Sequence, residues 1–314
     1  MSNVPKGLRG HYPVLTHPDV IPVPTHVGCA HLGDLVPVMS SSPTQWIAES
    51  GLMLRVLAGS GVHGMAISGL DDRDELGVFV EPPEYVIGSK QLKGYYFRTQ
   101  PEGVCSGPGD LDLACYTLRR YIGLAAAGNP TVLLPLFVPD NEVCYVNDFG
   151  RELRKNRHLF IAKSAGPKFR GYLESQRKGL MGLRSGGTRN QGRKDIRDKM
   201  GFDSKFAAHM IRLGVQGVEL LSTGEITLPI PEPDLTYLRD LKSGAYLNGE
   251  TPGTDAWRKL ADAKKAETLA KAEELERRID DLMGTSRLPD QPDWRAINAW
   301  SISVHKRFWG WGWP

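Results

Sequence analysis

A chain of 314 residues with 40% hydrophobic residues has ample apolar content for a packed core, which excludes global disorder. Its 39 basic and 36 acidic residues leave a formal net charge of only +3, so any contact with a polyanion has to come from a local cluster. The four cysteines, Cys29, Cys105, Cys115 and Cys144, lack paired spacing, which excludes a disulfide framework, and no apolar stretch is long enough to span a bilayer; the chain reads as a cytoplasmic protein without membrane contact.

Residues 1–45 are rich in Pro, His, Gly and Ser and read as an extended lead-in. Within them His26, Cys29, His31 and Asp34 have the chemistry of metal ligands, but no second ligand pair follows at zinc-like spacing. A short helix is expected over 43–51, then a buried strand over 53–58, a glycine-punctuated loop, and a strand over 74–81 that stops at Pro82-Pro83. Residues 95–98 predict a third strand. The alternation that starts at Asp110 predicts a fourth, running into a helix over 115–127 that Gly128-Asn129-Pro130 ends. Beyond residue 140 helical spacing dominates, over 152–164, 169–183 and 203–224. Between the last two lies 184–199, whose Gly, Ser and Arg content predicts a mobile basic loop with six cations against two carboxylates. Four prolines make 225–253 a turn-rich connection, an amphipathic helix is expected over 254–283 with Lys264 interrupting its apolar stripe, and a last helix with Asp290 as N-cap runs to 308.

The chemistry concentrates in the first half. Gly59-Ser60 follows the first strand, where free backbone N–H groups and a hydroxyl can meet phosphate oxygens. Asp72 and Asp74 are two apart, so on an extended strand both carboxylates face one side and can approach one or two divalent cations. A third carboxylate suits two-metal phosphoryl or nucleotidyl chemistry; Asp112 is the choice and Asp110, on the same strand face, the alternative. Farther on, Lys205, His209 and Arg212 fall on one helical stripe able to neutralise a triphosphate or departing pyrophosphate, with Phe206, Met210 and Leu213 on an apolar one. Arg184, Arg189, Arg193 and Lys194 of the basic segment are candidate nucleic-acid contacts. His63 is expected to be an exposed loop residue, with phosphate contact as the alternative, and the aromatic tail from Arg307 to pack on its own domain, with stacking on bases as the alternative.

Gly59-Ser60 with Asp72-Arg-Asp74 resembles the signature of the DNA polymerase beta-type nucleotidyltransferase superfamily. With 110–137, Phe169 to Gln176, 203–225 and Leu288-Pro to Asp293, the chain is similar to the predicted nucleotidyltransferase family of RNA repair operons and phages, over about 50–308. The departures are Leu76, where Arg is expected, and Leu134-Pro135, in place of a Glu-containing helical turn. The resemblance implies an α+β fold: a polymerase-beta-like core of mixed sheet and flanking helices over 46–145, then a mainly helical region over 146–314. It further implies Mg²⁺ (or Mn²⁺) held by Asp72, Asp74 and Asp112, a nucleoside triphosphate such as ATP bound by Gly59, Ser60, Lys205, His209 and Arg212, and transfer of its monophosphate to a hydroxyl. The preferred acceptor is a tRNA-like RNA end; a protein or small-molecule acceptor, or a nucleotide-binding module without turnover, is the alternative.

Overall fold

The computed structural model describes residues 42–66, 72–101, 104, 106–183 and 191–310. The lead-in ligands His26, Cys29, His31 and Asp34 lie outside them, as do Arg184, Arg189 and 311–314. Helix α1 (Pro43–Ser50) starts where the Ser42 side chain accepts from the Gln45 N–H and a proline takes the first helical position. Strand β1 (Leu52–Leu57) follows, then the single turn α2 (Gly59–Val62), β2 (Arg73–Phe79), the turn α3 (Pro83–Val86), β3 (Gly94–Arg98) and β4 (Leu111–Thr117). Helix α4 (Leu118–Ala126), the turn α5 (Pro130–Leu133) and β5 (Val143–Val146) complete the N-terminal part.

The five strands form one mixed sheet in the order β3-β4-β2-β1-β5. Only β2 and β4 run parallel, with Asp74 in register with Asp112. Strand alternation gives the sheet two different faces. Leu76 and Val78 of β2 point into the main core, shared with α4 and the helical half, whereas Phe79, Leu113 and Cys115 point to a smaller cluster with Ile47 and Ala48 of α1. The mixed sheet and the helical second half are the expected α+β architecture. Two sequence expectations change: residues 115–117 extend β4 rather than open a helix, since Thr117 is the cap of α4 and its hydroxyl accepts from the Arg120 N–H, and the short run 143–146 joins the sheet beside β1.

The second half contains α6 (Asp148–Lys155), α7 (Gly166–Leu180), α8 (Gln191–Met200), α9 (Ser204–Thr223), α10 (Asp234–Ser243), α11 (Asp255–Thr285) and α12 (Trp294–Phe308). Much of the expected basic loop is therefore the helix α8, and the proline-rich connection holds α10, whose N-cap is Pro233. Asp293 caps α12; Asp290 instead pairs with Lys163. Lys264 interrupts the stripe of α11 without penalty because its ammonium lies 4.0 Å from the Tyr237 ring centroid. Trp309, in the aromatic tail, donates to the Glu81 carbonyl at 3.0 Å.

Helix α9 is the axle of this half, packed between α7 and α11. Close approach is possible because a Cβ on Gly214 would meet Leu275 at 2.8 Å and Leu173 at 2.9 Å. Gly214→Val should therefore overpack the junction and lower stability by about 1–3 kcal/mol, read as a lowered midpoint in urea unfolding; an unchanged midpoint would show that the helices can separate freely.

Candidate active site

Strand β1 runs into Gly59, whose φ of 67° lies in the left-handed region that glycine tolerates. A Cβ there would stand 2.1 Å from Asp74 Oδ2, so this backbone lies directly against the carboxylate. The neighbouring Ala58 N–H donates to the Asp74 carbonyl at 2.9 Å, which locks the turn to β2. Gly59 and Ser60 are the first residues of α2, a single helical turn rather than an open loop.

Asp72, Asp74 and Asp112 converge. One ligand atom from each lies within 4.8 Å of the others, and all three side chains are half-buried. The parallel register of β2 and β4 sets Asp74 beside Asp112, and Asp72 precedes Asp74 by one full strand period. A set of three carboxylates suits a hard divalent cation with oxygen ligands. Asp110 is engaged elsewhere: it accepts from the Thr99 hydroxyl at 2.8 Å and the Gly107 N–H at 2.9 Å, closing the turn before β4.

Asp112 is held from its outer side. Arg98 Nε donates to its Oδ1 at 2.8 Å, Gln100 Nε2 to the same oxygen at 2.9 Å, and Ser106 Oγ to Oδ2 at 2.7 Å. Burial pushes the Asp112 carboxyl up, but the hydrogen bonds from Ser106, Arg98 and Gln100, with the Arg98 charge, outweigh it and leave its pKa below the usual value. Sequence reasoning missed this clamp; the only available signal was that 95–98 forms a strand able to pair with β4. On the opposite face of β2, Glu75 is buried between Arg55 and Arg73, with Arg73 Nε at 2.5 Å.

A cationic cluster flanks the turn. Lys205 is exposed, His209 mostly buried and Arg212 buried, so the predicted stripe descends from surface to interior along α9. Arg212 Nη1 donates to His63 Nε2 at 3.0 Å and to Gln216 Oε1 at 3.1 Å. His63, expected at the surface, is instead buried directly behind the Gly59-Ser60 turn. Among the described residues no carboxylate pairs with Arg212; burial lowers its pKa to about 10, which still leaves it charged. Burial first, then Arg212 and Lys205, lowers His209 to about 3, so its ring is neutral in the folded protein. Lys242 of α10, also close enough to His209 to depress its pKa, donates to the Met65 carbonyl at 3.0 Å; the proline-rich run concealed this helix from sequence reasoning. In α8, Lys194 is exposed, whereas Arg193 pairs with Asp203 at 2.7 Å and lies 3.9 Å from the Phe206 ring centroid.

The family model RlaP, described as the RNA repair pathway DNA polymerase beta family, matches residues 38–303. The chain belongs to this family. Membership makes nucleotidyl transfer the general chemistry of the family and a nucleoside triphosphate its general substrate. A nucleotidyltransferase-like protein from Exiguobacterium sibiricum 255-15, a crystal structure, aligns with 12% identity and a TM-score of 0.32 over 77% of this chain and 74% of its own. No curated protein sequence matches the chain. Among the described residues of this family member, no helix is long and apolar enough to cross a membrane.

The buried histidines generate a pH signature. His63 is driven well below 6.5 by burial and by Arg212, and His209 to about 3, so both are neutral in the folded protein. As pH falls through about 6.5 the unfolded chain takes up protons that the folded chain refuses, so stability present at neutral pH drains away as pH drops toward the folded-state values. Thermal unfolding followed against pH should show a shallower acid decline for His209→Gln than for the wild-type protein; identical slopes would place a charged His209 in the folded state.

Proposed function

We propose that this family member is a Mg²⁺-dependent nucleotidyltransferase that moves a nucleoside monophosphate from a nucleoside triphosphate to a hydroxyl at an RNA end and releases pyrophosphate. The observation that carries the reading is the convergence of Asp72, Asp74 and Asp112 within 4.8 Å beside the left-handed Gly59. Asp72, Asp74 and Asp112 would hold Mg²⁺ or Mn²⁺, which when bound neutralises phosphate charge and lowers the pKa of a coordinated hydroxyl. Gly59 brings backbone close to the triphosphate, and Ser60 adds a hydroxyl beside it. Lys205 and Arg212 stabilise charge developing on pyrophosphate, His209 contacts the nucleotide as a neutral group, and Lys242 adds a cation that the sequence did not suggest. Asp112 orients the acceptor hydroxyl for in-line attack. Exposed Lys194 and Arg197 on α8, with Arg184 and Arg189 beyond the described residues, supply positive charge for an RNA backbone. An RNA acceptor also agrees with the RNA repair pathway in the family's description.

Incubation with labelled nucleoside triphosphates, Mg²⁺ and total RNA should transfer label to RNA. Asp72→Ala should abolish it, and equal labelling by that variant would sink the site assignment. Label appearing in protein or metabolite fractions instead would transfer the acceptor role to those molecules, and nucleotide-dependent thermal stabilisation without pyrophosphate release would identify a binding module. Gly59→Ala should push Asp74 aside and reduce the rate by about 10²-fold, the scale on which an ångström-sized misplacement acts. The same labelling assay checks it, and a rate equal to wild type would mean that the turn does not set the position of Asp74.

A further inference from the structure

We propose that Tyr96 and Tyr116 form a stacking platform for the terminal nucleobase of a single-stranded polynucleotide acceptor, an inference that rests on the nucleotidyl-transfer reading above. On β4 the side chains of Asp112, Ala114 and Tyr116 alternate to one face, the same face on which β2 carries Asp74. Strand β3 adds Tyr96 opposite Ala114 and Arg98 opposite Asp112. The two tyrosine rings meet edge to face, with centroids 6.2 Å apart at 87°. Tyr96 is 55% exposed although it lies on the sheet face that carries the acidic cluster, and β3 is an edge strand, so the ring is open to an incoming ligand. The Arg120 guanidinium stands 5.6 Å from the Tyr116 ring centroid. Beyond it Tyr172, 40% exposed, accepts from Asn129 Nδ2 at 3.1 Å and extends the aromatic surface.

The direction of attack selects the occupant. In the sheet order β3-β4-β2-β1 the phosphate-side turn follows β1, on one flank of the acidic cluster, while β4 and β3 occupy the other. In-line displacement sets the attacking oxygen opposite the leaving pyrophosphate. The acceptor therefore arrives over β4 and β3, where the tyrosines lie; the Tyr96 backbone is in register two residues from Asp112, about 7 Å along the strand, and its ring extends from there toward Gly94 and Tyr116. Every nucleobase offers a π-face, so exposed rings accept a strand of any sequence, and Arg98 and Arg120 at the margin suit its phosphates. A peptide acceptor would draw its affinity from backbone pairing along the β3 edge and would depend little on the Tyr96 ring.

Binding of a fluorescein-labelled single-stranded RNA with a free 3′ hydroxyl, followed by anisotropy on the full chain, tests the platform separately from catalysis. Tyr96→Ala should weaken RNA binding about tenfold, the scale of one base-aromatic stack, Tyr96→Trp should restore it, and thermal stabilisation by MgATP should be the same in all three proteins. Equal RNA affinity of the wild-type protein and Tyr96→Ala overturns the platform and leaves the transfer reading standing. Loss of MgATP stabilisation in Tyr96→Ala also overturns it, because the ring would then hold the incoming nucleotide. RNA binding that depends on Tyr96 without transfer of label to that RNA upholds the platform and overturns the acceptor assignment. Binding of an unstructured serine-containing peptide in place of RNA overturns both.

Discussion

Mutual repulsion among three carboxylates is the constraint around which the rest of this molecule is arranged. With ligand atoms within 4.8 Å of one another, three negative charges repel unless counter-charge or a cation lies close. The chain meets this cost with backbone and with counter-charge. Parallel pairing of β2 with β4 fixes Asp74 beside Asp112 through main-chain hydrogen bonds that are indifferent to charge, and Arg98, Gln100 and Ser106 anchor Asp112 from outside. Below the sheet, Glu75 is buried between Arg55 and Arg73. Removing either arginine would leave a buried carboxylate short of a partner one residue from Asp74, so β2 is held in register from the face opposite the site.

Opposite charge is then distributed by position. The acidic cluster lies at the start of β2 and β4, whereas Lys205, Arg212 and Lys242 come from α9 and α10 on the flank of the Gly59-Ser60 turn. Carboxylates and cations are thus carried by separate elements on either side of that turn. His209, neutral at working pH, lies among these cations and supplies polar contact without adding to their mutual repulsion.

Much of this was legible in the sequence, and the failures have physical causes. Strand pattern and turn glycine placed β1, β2 and the Gly59 turn correctly, because short apolar runs and punctuation are local signals. The short run Val143–Val146 is too brief to show alternation and becomes a strand only because β1 offers an unpaired edge. The basic segment read as a loop because Gly and Ser dominate its start, yet 191–200 is helical, with Arg193 drawn to Asp203 at the N-terminus of α9. Of the prolines thought to break 225–253, Pro233 is the N-cap residue of α10, a position where its missing N–H costs nothing. Leu76, where the resemblance leads to an expected arginine, lies in the core, where an arginine would have required a buried partner. Least legible was His63, because nothing in a glycine-rich run shows that a helix some 150 residues later will close over it.

That closure ties the helical half to the site. Arg212 is buried and charged, its hydrogen-bond partners His63 and Gln216 are neutral, and among the described residues no carboxylate pairs with it. A buried cation in this condition raises the free energy of the unliganded protein. It sits behind the turn that carries Gly59 and Ser60, where an anion arriving at that turn would relieve it. The same packing that orders α9 between α7 and α11 thus sets a buried positive charge next to His63. His63 is the C-cap residue of α2, so the Arg212 contact reaches the same short turn whose backbone at Gly59 lies against Asp74.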